Sequence, residues 1–140
     1  MDTRRGAELS KYRFERALRT LKEAKNNFYL GSYNLSANRA YYAIFYGMLA
    51  VTANDGFEAS KHSSVTSYFR KNYVKTKIFD KNLSDIITEA FNTRTYSDYE
   101  DYYEVSPEEA ENQISNAEFF LEAIRPYLET CWAEMEEKYK

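Results

Sequence analysis

Between Tyr33 and Ala53 the chain is apolar on nearly every face, through Tyr41, Tyr42, Ile44, Phe45, Met48, Leu49 and Val51, until Asn54, Asp55 and Gly56 interrupt it. The spacing predicts one helix, and a helix apolar all round belongs at the centre of a bundle, covered by others. Only four Gly and two Pro punctuate the sequence, and strand-like alternation is absent, so the expected fold is all-α.

The covering helices follow from local signals. Leu9, Tyr12, Ala17, Leu21, Ala24 and Phe28 recur at helical intervals from Glu8 to Leu30, with Arg13, Arg16, Arg19, Lys22 and Lys25 largely on other faces and Gly31 as the C-cap. A third helix is expected over His62–Asn72 and a fourth from Leu83 to about Tyr99, carrying Ile86, Ile87, Ala90 and Phe91. Ser106-Pro107-Glu108-Glu109 is a capping box with proline at the first helical position, so the last helix begins there. Pro126 should kink that helix or split off a C-terminal segment ending near Tyr139. The expectation is a single domain over residues 1–140, an up-and-down antiparallel bundle of about five helices, with a core over about 8–128 and a helical tail over 129–140.

Composition narrows the function classes. The chain is 44% hydrophobic and 17% aromatic, with 14 Tyr and 9 Phe, enough for a real core in which buried phenols need hydrogen-bond partners. That pattern suits a dimer or a ligand groove. No apolar run approaches the roughly 20 residues of a membrane span and the N-terminus lacks an apolar signal core, so no membrane association and a cytoplasmic location are expected. One Cys and one His leave no cysteine-based zinc site and no histidine pair, which argues against a transition-metal enzyme and for no cofactor. Phosphate-loop, nucleophile-elbow and His-Glu-x-x-His signatures are absent. Residues 1–80 carry 14 Lys/Arg against 7 Asp/Glu, a balance of +7, whereas residues 81–140 carry 5 against 15, or −10. Either the first half meets phosphates, or the halves neutralise each other across the bundle.

The candidate chemistry sits on two arginines. Arg39 lies in the central helix, where a guanidinium needs partners for five donors, and Asp98 is one candidate. Arg94 heads the run Arg-Thr-Tyr-Ser-Asp-Tyr-Glu-Asp-Tyr-Tyr-Glu, which holds four tyrosines and four carboxylates. In the structural reading Arg39 and Asp98 form a bundle-locking ion pair. In the functional reading Arg39 and Arg94 clamp a phosphate of a nucleotide or RNA, beside Asp98, while Tyr42, Tyr46 and Tyr99 stack on bases or donate hydrogen bonds. His62, at the expected start of the third helix, titrates near neutrality and is a candidate general base or a plain capping residue. Cys131 and Trp132 read as packing or dimer residues.

Three pieces together resemble the HEPN domains, and within them the small UPF0332-type proteins: Ser36-x-x-Arg39-x-Tyr41-Tyr42-Ala43-x-Phe45, Lys61-His62 before an aromatic-containing helix, and Arg94-x-x-x-Asp98-Tyr99. With the Ser106-Pro107-Glu108-Glu109 opening, the likeness spans about residues 8–128. The resemblance implies a helical bundle that forms a homodimer, often paired with a minimal nucleotidyltransferase as toxin and antitoxin. Active members look like metal-independent endoribonucleases with an Arg-x(4 to 6)-His motif, whose arginine holds the scissile phosphate. Arg94 fits that arginine, but the histidine positions hold Tyr99, Glu100 and Asp101. The resemblance therefore ranks phosphate binding by Arg39, Arg94, Tyr42 and Asp98 first, and catalysis by Arg94 with His62 or Tyr99 second. Some members are silenced by nucleotide transfer to a tyrosine two places after the motif histidine. That place is Asp101 here, which makes Tyr99, Tyr102 and Tyr103 the modification candidates. A non-enzymatic helical dimerisation or interaction module is the competing expectation.

Overall fold

The computed structural model describes residues 3–140, and these form an all-α bundle: α1 (Thr3–Tyr29), α2 (Tyr33–Ala53), α3 (His62–Phe69), a π-helical turn (Arg70–Val74), α4 (Asn82–Tyr99) and α5 (Pro107–Lys138). α2 packs against α1, α3, α4 and α5, and it buries thirteen of its residues. The sequence dictates this, because a helix with no polar stripe has no face to leave in water.

α1 and α2 are joined by a Schellman turn. Gly31 takes φ 77°, its N–H donates to Phe28 O at 3.0 Å, and Ser32 N–H donates to Asn27 O at 2.9 Å. Buried Ser36 then bolts the hairpin, its hydroxyl donating to Ala24 O at 2.8 Å. On the opposite side α5 approaches so closely at Gly47 that an added Cβ would lie 2.8 Å from Leu121 Cδ2 and 3.2 Å from Ile124 Cδ1. A methyl there must displace side chains already packed to native density.

Local signals set the end of α1 and the start of α5. The capping box at Ser106 is formed, with Glu109 N–H donating to Ser106 Oγ at 3.1 Å and Ser106 N–H to Glu109 Oε1 at 3.2 Å. α5 then runs as one helix through Pro126, so no separate C-terminal segment splits off. The expected third helix over His62–Asn72 is corrected: α-helical bonding stops at Phe69 and the chain widens into the π turn, where Lys75 N–H reaches Arg70 O at 2.8 Å. The extra residue per turn lets Tyr73 stay buried, its hydroxyl donating to Asp55 Oδ2, which also accepts from Tyr68 at 3.0 Å. Asp55 meets that demand of the buried Tyr73 phenol.

The charge asymmetry of the sequence is met by little direct pairing. Among the described residues one ion pair joins the basic half to the acidic half, Lys25 to Glu118 at 3.3 Å. No helix among these residues is long and apolar enough to cross a membrane.

A candidate phosphate site on the central helix

Three elements converge on the aromatic side of α2. Tyr41, Tyr42 and Phe45 project from its middle, His62 opens α3, and Arg94 lies near the end of α4. The break at Asn54–Gly56 returns the chain along α2, so that the His62 ring stacks on Phe45 with centroids 4.0 Å apart. His62 Nδ1 is 3.0 Å from Tyr41 Oη. Arg94 covers the same pair of tyrosines: its guanidinium carbon is 5.3 Å from the Tyr41 ring centre and 5.4 Å from that of Tyr42, and Nη2 donates to Tyr42 Oη at 3.1 Å. The arginine and the histidine therefore converge on the same two tyrosines, although they are far apart in sequence.

Arg39 joins from the α1 side, 5.0 Å from the centre of the Tyr42 ring. The expected Arg39–Asp98 pair is not formed. Asp98 pairs instead with Arg94, Oδ2 to Nε at 2.9 Å, because two residues four apart on one helix are always neighbours. The Nε–H is not aligned on the carboxylate, so this is an ion pair without a hydrogen bond. Arg39 pairs with Glu23 at 3.7 Å. Asn38 links the two systems: its Oδ1 accepts from Arg39 Nε and Nη2 at 3.1 and 2.9 Å, while its Nδ2 donates to Asp98 Oδ2 at 3.3 Å. A carboxamide has one acceptor and two donors, which is what a bridge from a guanidinium to a carboxylate needs. Asn38 sits inside the motif quoted above, yet nothing in its spacing gives it this role.

One turn further along α2, Tyr46 carries the Arg16 guanidinium 4.2 Å from its ring centre. Arg16, Arg39 and Arg94 thus border a ladder of two tyrosines, Tyr42 and Tyr46, whose centroids are 6.0 Å apart. Cations alternating with aromatic faces suit a single-stranded polyanion that carries bases.

The tyrosines after Arg94 separate by accessibility. Tyr99 is 71% exposed and its ring centre lies 5.8 Å from the Arg94 guanidinium. Tyr102 is fully exposed at φ 63° in the turn beyond α4. Tyr103 is committed: its hydroxyl donates to Glu109 Oε2 at 2.8 Å, and its carbonyl accepts from Asn34 Nδ2 at 3.1 Å.

Burial, and then the positive charge of Arg94, hold the His62 imidazole below its usual value, while burial pushes the Tyr41 phenol up to about 12 against the opposing pull of Arg94. His62 is thereby kept neutral near neutrality, with Nδ1 occupied by Tyr41 and Nε2 left for a ligand. The same shift has a stability consequence. An unfolded histidine titrates near 6.5, so between that pH and the lower folded value the unfolded state binds more protons, and stability falls as pH drops below about 6.5. The melting temperature is expected to decline from pH 7.5 to 5.5, and His62→Gln should flatten part of that decline. Parallel pH profiles for both proteins would show that His62 is not the group titrating.

Comparison with known proteins places the chain among relatives. A family model described as HEPN domain matches residues 10–127. The chain is 33% identical over 128 residues, 91% of its length and 86% of the other protein, to a Methanocaldococcus jannaschii protein named "Putative toxin MJ0142". It is 33% identical over 122 residues to a UPF0332 protein of Thermotoga maritima, covering 87% of this chain and 92% of that one. A UPF0332 protein of Archaeoglobus fulgidus is 28% identical over 113 residues, 81% of this chain and 90% of its own length.

Proposed function

Since the chain belongs to the HEPN domain family, we propose that it is a toxin-like RNA-binding protein whose arginine pair holds a phosphate and whose His62 stands in for the histidine absent after Arg94. The observation that carries this reading is the approach of His62 and Arg94 to the same two rings, Tyr41 and Tyr42, each within about 6 Å of both ring centres. The name of one relative supports the toxin-like part. The partner in the proposed pair is a minimal nucleotidyltransferase, and the working form is a homodimer.

The chemistry is metal-independent transesterification of RNA. With Nδ1–H donating to Tyr41 Oη, His62 Nε2 keeps its lone pair and takes the proton of the ribose 2′-hydroxyl. The 2′-oxygen attacks phosphorus and the bond to the 5′-oxygen breaks, giving a 2′,3′-cyclic phosphate. The leaving oxygen takes a proton from the Tyr99 hydroxyl, and water returns the His62 proton to Tyr99, so the cycle closes without another reactant. Arg94, with Arg39 beside it, stabilises the charge that grows on the phosphoryl oxygens.

The test is cleavage of labelled single-stranded RNA in the presence of a chelator by the wild type and by Arg94→Ala. Loss of cleavage in the variant supports the reading. Salt-dependent binding without cleavage by either protein would reduce it to a binding module. For regulation, Tyr99 and Tyr102 are the acceptors proposed for nucleotide transfer, since Tyr103 spends its hydroxyl on Glu109. Mass spectrometry after co-expression with the transferase should find the added nucleotide on the 94–104 segment at one of those two residues, and an unmodified segment would exclude the transfer.

A further inference from the structure

Beyond His62, between α3, the π turn and α4, lies an open cleft of about 300 Å³. Its apolar lining is Tyr41, Ile87 and Phe91, the last 45% exposed with its ring centre 6.1 Å from that of Tyr41. Ser63, Ser67, Thr88 and Arg70 also line it. Arg70 is held in place, with Nε donating to Ser84 Oγ at 2.8 Å and Nη2 donating to Ser84 O at 3.0 Å and to Thr88 Oγ1 at 2.6 Å. Its Nη1 has no hydrogen-bond partner among the described residues. This arginine is also the first residue of the π turn, the kind of helical irregularity that proteins keep at functional sites.

We infer that this cleft is a nucleobase subsite for the RNA nucleotide next to the phosphate held at Arg94, an inference that rests on the RNA reading above. The position argues for it, because Tyr41 lines the cleft, touches His62 and carries the Arg94 guanidinium 5.3 Å from its ring centre, so a chain whose phosphate sits on Arg94 has its next base at the cleft mouth. The chemistry argues for a base rather than a second phosphate. An apolar floor with an exposed phenyl ring offers stacking, whereas Arg70 spends Nε and Nη2 on the protein and keeps one arm for a ring oxygen or nitrogen. The Ser63 and Ser67 hydroxyls donate as well as accept, so they fit the edge of any base and the subsite should tolerate several, whereas the Thr88 hydroxyl is spent on Arg70 and Ser84 O. The volume is at the small end of ligand sites, suited to one nucleoside.

Fluorescence anisotropy with labelled decauridylate tests this on the wild type, on Phe91→Ala, which removes the exposed platform, on Ser67→Trp, which fills the cleft, and on Arg94→Ala. Phe91 and Ser67 are both exposed, and thermal melts would confirm that the variants fold. Each cleft variant is expected to bind about tenfold more weakly with an unchanged salt slope, since stacking releases no counterions, whereas Arg94→Ala should lower that slope by about 0.7. Wild-type affinity in both cleft variants, with Arg94→Ala weakened, would overturn the subsite and leave the phosphate reading standing. A wild type that does not bind the RNA would remove both.

Discussion

Alanine at either Arg94 or His62 is expected to slow metal-independent RNA cleavage by about a hundredfold or more. A positioned proton-transfer group typically contributes 10²–10⁴, and one charge-stabilising donor about 10²–10³. Arg94 is the more exposed to double consequences, because its removal also leaves Asp98 with Asn38 as its only described partner, turning local potential negative at the proposed phosphate site. Arg94→Lys should recover charge and part of the affinity, though not the contact that ties Nη2 to Tyr42. The two losses should not add: once His62 or Arg94 is gone the remaining one has little transition state to act on, so the double variant should resemble the worse single one. Single-turnover rates on one labelled substrate measure this directly. Full cleavage by His62→Ala would take His62 out of the chemistry and leave Tyr99 as the proton-transfer candidate.

The largest expected effect on stability belongs to Phe120. It is fully buried on α5, with its ring centre 5.7 Å from that of Phe69 and its edge at the close approach of Gly47. Phe120→Ala removes the ring and leaves a cavity bounded by helices that cannot close over it, at a cost of about 3 to 5 kcal/mol. For a domain whose total stability is on the order of 5–15 kcal/mol, that should lower the melting temperature by about 10 °C or more. The adjacent residue is the control. Phe119 is 50% exposed, and Phe119→Ala should change stability by about 0.5 kcal/mol or less. Urea denaturation with unchanged m-values would report both, and equal costs at the two positions would contradict the helix phase described for α5.

Family membership and an all-α bundle follow from residues that act locally. Gly31 ends α1 because a positive φ is cheap only for glycine, Ser106 and Glu109 satisfy each other's backbone donors at the start of α5, and α2 is central because it has no polar face. These signals operate within a turn or two of helix and are visible without knowing what packs on what. The boundary after Phe69 was not visible in this way, since the shift to i-to-i−5 bonding goes with the burial of Tyr73 against the core, which no local pattern records.

The site divides along the same line. Its residue types were legible: an arginine in the buried helix, another before a tyrosine run, and one histidine. Their partners were not. Spacing allowed Arg39 to meet Asp98, yet it meets Glu23 and Asn38, and Asp98 belongs to Arg94 through the register of a single helix. His62 comes to the two tyrosines that Arg94 also covers only because the chain folds back after Gly56 and stacks the imidazole on Phe45. The amino-acid pattern settled the helical class, most helices apart from the ending of α3, the central place of α2 and the chemical groups available. Tertiary packing alone decided which groups face each other, because contacts between helices depend on how far each rotates and slides against its neighbour, and no local pattern records that.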